Sequence, residues 1–547
     1  MCIRDSTYFL PLGGTGEIGM NLNLYGYGQE NDIDWLMVDC GVTFSQAGLP
    51  GIDLQMPDPT FIASQKDKLK AIILTHAHED HIGAMPFIWP YFKCPIYTTK
   101  FTAALLIEKF DEYNIDYSDK IIIHNDGEII NIGNFEVKAI GLTHSIPEMN
   151  ALLIKSPSAN IFHTGDWKID KDPIIGDGFN EEKLLDFENI DIDALICDST
   201  NAMTPGISGS ELSVKNSLEE IIGKIEGRIF LSTFASNVAR LCSVAEAAAK
   251  HDRHVVLSGR GMHRIVNAAK SVGLLNGLPD FVDEENAGYL PAEKTLILCT
   301  GSQGEYRAAL SKIARDEHQH IVAEKGDTVI FSSKVIPGNE AGIINLQNLF
   351  AKKGINIITG KDEFVHVSGH PCQDELTEMY KLIKPKSIIP VHGEFRHLVA
   401  NANLAKNNGI KNSLVIENGT IVKISKNDTS IDKQVESGRL YKDGKIIIYD
   451  YESPSNVRSK ISFTGLIIIS LVLQNNKIKS KPIVKIIGLP EFDKEGIRLS
   501  DWVNQALDNV ISSKNKSGNL ESKIKNAVIR QIREVWGKKP KVEIIFH

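Results

Sequence analysis

The segment "LTHAHEDHIG", residues 74–83, sets three histidines and two carboxylates within six positions, directly after the apolar run "AIIL" and before the helix-like "GAMPFIW". In a helix, positions two apart point to different faces. A strand end turning into a loop instead lets imidazoles at i and i+2 and a carboxylate beyond them converge. His76, His78, Asp80 and His81 thus spell H-x-H-x-D-H, a metal-ligand pattern. Imidazole and carboxylate donors suit zinc or manganese, with histidine favouring zinc, and the lack of cysteine ligands suggests an open catalytic site rather than a closed structural one. One loop cannot fill two coordination shells. Further candidates stand at strand ends: His144 in "LTHSIP", Asp166 in "HTGDWK" and His392 in "IPVHGE". His163, beside Asp166, reads as structural.

Outward from this segment, residues 7–208 run as short apolar stretches punctuated by Gly, Asp and His, many alternating as half-buried strands do. Residues 209–360 change style. Helical patterns such as "SVKNSLEEIIGKI" and "NVARLCSVAEAAAKH" separate buried strands such as "RIFLSTF" and "DTVIFSS", the signature of a parallel α/β insert. The His-punctuated short-strand style returns over residues 361–449, in "EFVHVSGH" and "KSIIPVHGEF", so one domain is interrupted by another. Residues 450–460, "DYESPSNVRSK", have linker composition. A small domain over 461–547 closes the chain, with "GLIIISLVL" a buried strand and Ile524, Val528, Ile532 and Val535 or Trp536 on one helical face.

"GGTGEIG" offers G-x-G-x-x-G at Gly14, Gly16 and Gly19, with Asp39 twenty residues on, and so imitates a dinucleotide fingerprint. That fold needs a helix after the glycines. "MNLNLYGYGQEND" alternates like a strand and carries Gly26 and Gly28, so a hairpin is expected.

Composition is that of a globular protein: 42% hydrophobic, 24% charged, with no apolar run near the length of a membrane span. No secretory signal is apparent, so the chain is expected to be cytoplasmic. Seven scattered cysteines without a C-x-x-C pair read as free thiols, not a disulfide framework or zinc ribbon. Tyr451 to His547 holds 17 Lys and Arg against 9 Asp and Glu, net +8, whereas the preceding residues are net −17. The plain reading is a solvated surface on a small α/β unit, and a nucleic-acid role needs other support.

These residues carry a resemblance. The chain resembles the metallo-β-lactamase superfamily and, within it, the ribonuclease J family of the β-CASP group, from about Tyr8 to His547. "GGTGEIGMN", "THAHEDHIG", "THSIPE", "HTGDWK", "CDSTNA", "STFASN", "CTGSQGE", "HVSGH", "PVHGE" and "VWGKKP" carry it. H-x-H-x-D-H alone marks only the superfamily; "HVSGH" followed by "PVHGEF", the long insert and the basic tail narrow it. The opening "MCIRDS" matches nothing in the family, and Ala77 stands where the family often has Gly; neither touches a ligand.

The resemblance implies a metallo-β-lactamase αββα sandwich interrupted by a parallel α/β β-CASP domain, plus a small C-terminal α/β domain. It implies two Zn2+, with Mn2+ or Mg2+ as alternatives in activity: one on His76, His78 and His144, a second on Asp80, His81 and His392, with Asp166 bridging. Two cations about 3.5–4 Å apart suit an in-line phosphoryl displacement. Asp198 and His370 follow as the proton-transfer pair, with a purely orienting role as the alternative for Asp198. Ser236, Asn237, Val238, His366, Val367, Ser368, Gly369 and His370 are implied as a substrate pocket for an RNA 5′-monophosphate, and Gly51, Asp53 and Asp443 as a structural Ca2+ site. The function implied is 5′-to-3′ exonuclease and endonuclease action in RNA maturation and decay, including rRNA processing and mRNA decay, by a homodimer or homotetramer without membrane contact. The competing readings are a β-CASP nuclease acting on DNA, a small-molecule metallo-hydrolase, and a scaffold with a degenerate site.

Overall fold

The protein is described by a computed structural model covering all residues except 1–4, 30–31, 45–48, 186–189, 427, 475–476 and 513–518. Most of "MCIRDS" therefore lies outside the described residues. The chain forms two compact units, one of residues 1–44 and 55–440 and the other of residues 45–54 and 441–547.

In the larger unit two mixed sheets face one another. One has eight strands in the order Thr429–Gln434, Thr420–Ile424, Ser6–Gly13, Leu22–Gln29, Asp32–Val38, Leu69–Ile73, Ile96–Thr98, Ile121–Ile123. The other has seven: Ile129–Ile132, Phe135–Gly141, Asn150–Lys155, Asn160–His163, Ala194–Asp198, Ser387–Val391 and Asn412–Ser413. Phe9, Leu36, Val38 and Ile73 of the first meet Val137, Leu152, Ile161, Ile196 and Ile389 of the second in one buried core. Strands with only alternate apolar residues would leave one face wet. Here the second sheet is apolar on both faces, because Leu153, Phe162, Leu195 and Ile388 pack outward against Leu376, Met379 and Ile383 of the helix Gln373–Ile383 and Ala405 of the helix Phe395–Asn407. The expected hairpin after the glycines is present, Leu22–Gln29 pairing antiparallel with Asp32–Val38.

The interruption falls between two adjacent strands. Ala194–Asp198 and Ser387–Val391 pair in parallel, Asp198 opposite Val391, and the chain between them builds a separate six-stranded sheet whose pairings are all parallel. Its helices Glu211–Lys224 and Val238–Lys250 begin where the side chains of Ser210 and Asn237 accept backbone N–H groups of the first turn, which would otherwise lack partners.

Two readings change. "EFVHVSGH" forms no strand, because its backbone serves side chains instead of a ladder: Val365 O accepts from Arg240 and Ser332, Gly369 O from His144, and His370 O from Asn201. In the smaller unit, "DYESPSNVRSK" is not irregular linker. Pro454 precedes a helix, Ser455–Thr464, that stops at Gly465, whose φ of +69° a side chain would resist. Beyond it the three-stranded sheet Ile483–Ile487, Leu466–Leu471, Lys541–Phe546 packs on the helices Leu499–Ser512 and Leu520–Trp536 through Ile467, Ile469, Val503, Ile524, Val528 and Ile532. No helix among the described residues is long and apolar enough to cross a membrane.

Candidate metal centre

The strand Leu69–Ile73 delivers residues 74–78 to the edge of the sandwich, and a single helical turn, Glu79–Ile82, then lifts Asp80 and His81 to the same point. His144, Asp166, Asp198 and His392 arrive from the ends of four further strands or the loops after them. Three overlapping donor sets result among the described residues: His76, His78, His144 and Asp166; Asp80, His81, Asp166 and His392; and Asp166, Asp198, His370 and His392. Asp166 belongs to all three.

Within the first set, His78 Nδ1 lies 3.1 Å from both His76 Nε2 and His144 Nε2, while Asp166 Oδ2 is 3.8 and 3.9 Å from the latter two. Within the second, His81 Nε2 is 3.1 Å from Asp166 Oδ2, and His392 Nε2 is 3.1 Å from Asp80 Oδ2. A tetrahedral zinc ion with bonds of about 2.0–2.1 Å sets its donors about 3.3 Å apart, so these separations suit a shared cation.

The hydrogen bonds behind the rings test that fit. Each of the five histidines in the first two sets has its other nitrogen held by an oxygen: His76 Nδ1 by Thr75 Oγ1 (3.0 Å), His78 Nε2 by Ser236 Oγ (3.1 Å), and His81 Nδ1 by Asp39 Oδ2 (2.8 Å). His144 Nδ1 is held by Gly369 O (2.6 Å) and His392 Nδ1 by Thr200 Oγ1 (2.9 Å). The carboxylate on His81 and the carbonyl on His144 can only accept, so those rings donate outward; a ring that donates outward and carries no second proton turns a free nitrogen toward the centre. Asp166 Oδ1, buried, has no hydrogen-bond partner, an expensive arrangement unless a cation supplies one.

Electrostatics divide the centre. Burial, with neighbouring imidazoles, pushes His76 and His144 well below the usual histidine range, and burial takes His78 to about 4. Burial also acts on His81 and His392, but the surrounding carboxylates outweigh it: Asp166, Asp39 and Asp80 hold His81 up, and Asp166, Asp198 and Asp80 hold His392 at about 10. Without other cations, the carboxylates recruit protons onto rings.

Asp198 Oδ2 accepts from His370 Nδ1 at 2.8 Å, and the His370 ring stacks on His392 with centroids 5.4 Å apart. His370 is the more exposed partner, with 22% of its side chain accessible against none for Asp198. Thr200 bonds both Asp198 Oδ1 and His392, so the pair is tied to the ligands.

The residues implied as a substrate pocket divide by role. Ser236 is engaged with His78, and the buried Asn237 side chain caps its own helix and bonds Glu211. Val238 and Val367 are buried apolar residues. Ser368 Oγ accepts from Asn201 Nδ2 (2.8 Å) and from the His370 N–H (3.2 Å), and Lys334 Nζ reaches Asn201 Oδ1 at 3.1 Å. Gly369 is pressed against His144 and Ser145, where an added Cβ would lie 2.9 and 2.8 Å away. His366 is pushed down to about 3 by burial and by the charges of Arg240, Lys334 and Lys168, and its Nδ1 has no partner.

The residues implied for calcium are engaged with a side-chain cation and a backbone N–H. Asp443 pairs with Arg458 at 2.7 Å, Asp53 accepts the Gly444 N–H, and a Cβ on Gly51 would sit 2.4 Å from Arg458 Nη1. A guanidinium therefore faces both Asp443 and Gly51.

Sequence reasoning missed Asp39 as a partner of His81, having met it only as the acidic residue of a false nucleotide fingerprint. It also missed Thr200 and the fully buried Arg240, which donates to Glu211 through Nε and Nη2 and to the Val365 and Ser332 carbonyls through Nη1. "CDST" carried the signal for Thr200, since a Thr two residues past Asp198 can bond its carboxylate. Arg240, in a helical stretch that reads as amphipathic, carried none.

A β-sandwich bearing overlapping His/Asp donor sets on one shared aspartate, with a parallel α/β domain inserted between neighbouring strands, defines a metal-dependent hydrolase of the metallo-β-lactamase class with a β-CASP domain. Four family matches agree: "Beta-lactamase superfamily domain" over residues 34–195, "Ribonuclease J, beta-CASP domain" over 226–350, "Zn-dependent metallo-hydrolase RNA specificity domain" over 354–415, and "Ribonuclease J C-terminal domain" over 456–547. The chain is 45% identical over 550 residues to Ribonuclease J of Sinorhizobium meliloti, covering 100% of this chain and 98% of that one, and 34% identical to Ribonuclease J of Corynebacterium glutamicum, covering 97% and 74%. It belongs to the ribonuclease J family of metal-dependent hydrolytic ribonucleases. A solved protein of unknown function from Enterococcus faecalis V583, 18% identical with a TM-score of 0.53 over 77% of this chain and 100% of that one, shares the fold.

Proposed function

We propose that this chain is a two-metal ribonuclease with both 5′-to-3′ exonuclease and endonuclease activity, acting on RNA with 5′-monophosphate ends in RNA maturation and decay in the cytoplasm as a homodimer or homotetramer. The observation that carries the reading is the five-fold pattern in which every clustered histidine has its outer nitrogen fixed by an oxygen. His76, His78 and His144 would hold one Zn2+ and Asp80, His81 and His392 the other, with Asp166 between them. Bound there, two divalent cations supply a water of lowered pKa and charge stabilisation for attacking and leaving oxygens.

The chain's own residues do the rest. Asp198 fixes the His370 ring through Nδ1, so Nε2 is the nitrogen that hands a proton to the leaving 3′ oxygen, with Asp198 stabilising the imidazolium form beforehand. Ser368, His366 and backbone N–H groups near Gly369 receive the terminal phosphate in the positive field of Arg240, Lys334 and Lys168. Six described cysteines, all free and buried, suit a reducing compartment.

The test is incubation of purified protein with 5′-monophosphate, 5′-triphosphate and 5′-hydroxyl RNAs and a matching DNA, alongside metal analysis. Mononucleotides should appear first from 5′-monophosphate RNA, with two ions per chain. Equal rates on DNA, or fewer than two ions in fully active protein, would overturn the reading.

A further inference from the structure

The glycine loop that imitates a nucleotide fingerprint ends against the metal centre. Gly14 O accepts the backbone N–H of His392 at 2.6 Å, and Thr15 and Gly16 pair in parallel with Gly393 and Glu394. His392 has φ +51°, left-handed backbone that a side-chain-bearing residue adopts only when its surroundings impose it. The loop cannot drift: a Cβ on Gly13 would lie 2.0 Å from Met20 O, and one on Gly14 2.4 Å from Asn21 Oδ1.

Beneath the loop sits a charged anchor. Glu17, whose side chain is 11% exposed, takes Asn418 Nδ2 at 2.8 Å on Oε1 and the Arg439 guanidinium at 2.5 Å on Oε2, while the Gly14 N–H approaches Oε1 at 3.4 Å. Asn418 Oδ1 in turn accepts from the N–H and hydroxyl of Thr15, and Arg439 is held from behind by Gln55 at 2.9 Å. Every link from Arg439 to the His392 backbone is therefore a hydrogen bond, and among the described residues no hydrogen bond or ion pair joins these side chains to the donor atoms of the centre.

We propose that Glu17, anchored by Arg439, is a positioning residue that fixes the backbone of His392 and so sets the second metal half-site. The inference rests on the two-metal reading for what His392 holds. It assigns the glycine loop a purpose other than phosphate binding: close approach to a neighbouring strand end and the carbonyl that restrains a strained residue.

The experiment is zinc titration with a competing chelator on full-length protein, comparing wild type with Glu17→Gln, which keeps an acceptor for Asn418, and with the double variant Glu17→Gln/Arg439→Gln, which leaves no charge unpaired. Outer partners of metal ligands are worth about 10–100-fold in affinity. Loss of that size is expected for one equivalent, the other staying at its wild-type value, with RNA cleavage restored by raised metal. A merely structural Glu17 would lower the melting temperature of the metal-free protein and leave both affinities unchanged, which would overturn the proposal. So would equal weakening of both equivalents. If wild type took up one ion alone, the two-metal reading would fall; a variant-specific loss of that ion would still support the anchor, and its absence would sink it.

Discussion

Arg240→Met removes the cation paired with Glu211 while keeping an apolar stem of similar length. Both side chains are almost inaccessible, 0% for Arg240 and 4% for Glu211. The variant leaves the Glu211 carboxylate with the Asn237 amide as a side-chain donor and strips the Val365 and Ser332 carbonyls of a charged one. Breaking one side of a buried ion pair costs about 3–5 kcal/mol. At about 1.4 kcal/mol per decade, that is a rise of roughly two to three and a half decades in the opening equilibrium of the inserted domain. Hydrogen exchange of the amides in Ile229–Ser232 and Thr328–Phe331, neighbouring interior strands that lead to Ser332, reads it directly. Glu211→Gln in the same chain should recover most of the loss, because no buried charge is then left alone. Exchange within a factor of about three of wild type in the single variant, or a double variant no better than the sum of the singles, would refute the reasoning.

Other perturbations separate the roles of neighbouring residues. His78→Ala should abolish cleavage and reduce bound metal while circular dichroism stays native, since His78 Nδ1 lies 3.1 Å from a ring nitrogen of both His76 and His144. Ser368→Ala should slow mononucleotide release from 5′-monophosphate RNA more than internal cleavage, whereas Ser236→Ala, by freeing His78, should weaken metal binding and slow both. His366 is held neutral, its folded pKa of about 3 lying below the ordinary 6.5, so its stabilising contribution is present above pH 6.5 and declines as pH falls toward 3. His366→Gln should flatten the acid limb of the stability curve in that window, measured by denaturant melts at stepped pH. Calcium should leave the melting temperature of wild type unmoved, because Arg458 already faces Asp443; a clear upward shift would show that the guanidinium yields to the ion.

Local chemistry was legible in the sequence and long-range placement was not. H-x-H-x-D-H and the strand-end His144, Asp166 and His392 are short-range signals, because ligands at turns announce themselves by residue type beside apolar strands. The parallel insert was equally plain from its change of period. What stayed hidden depends on partners far along the chain: Asp39 reaches His81 across 42 positions and Arg240 reaches Val365 across 125, and neither distance leaves a pattern. "EFVHVSGH" misled because alternation shows which side chains are buried, not whether the backbone has a neighbouring strand. The calcium expectation has a similar weakness, since acidic residues suggest a cation without saying whether the chain itself provides one, as Arg458 does beside Asp443.

The parallel pairing of Ala194–Asp198 with Ser387–Val391 also has a temporal side. His76, His78, His144 and Asp166 all precede residue 167, whereas His392 follows the whole inserted domain. As a ribosome extends the chain, one donor set is encoded in full long before the other, and the later set must wait for a strand to dock beside a partner nearly two hundred residues older. Refolding in the presence of zinc should accordingly show two phases of ion uptake, the slower one keeping pace with closure of that ladder.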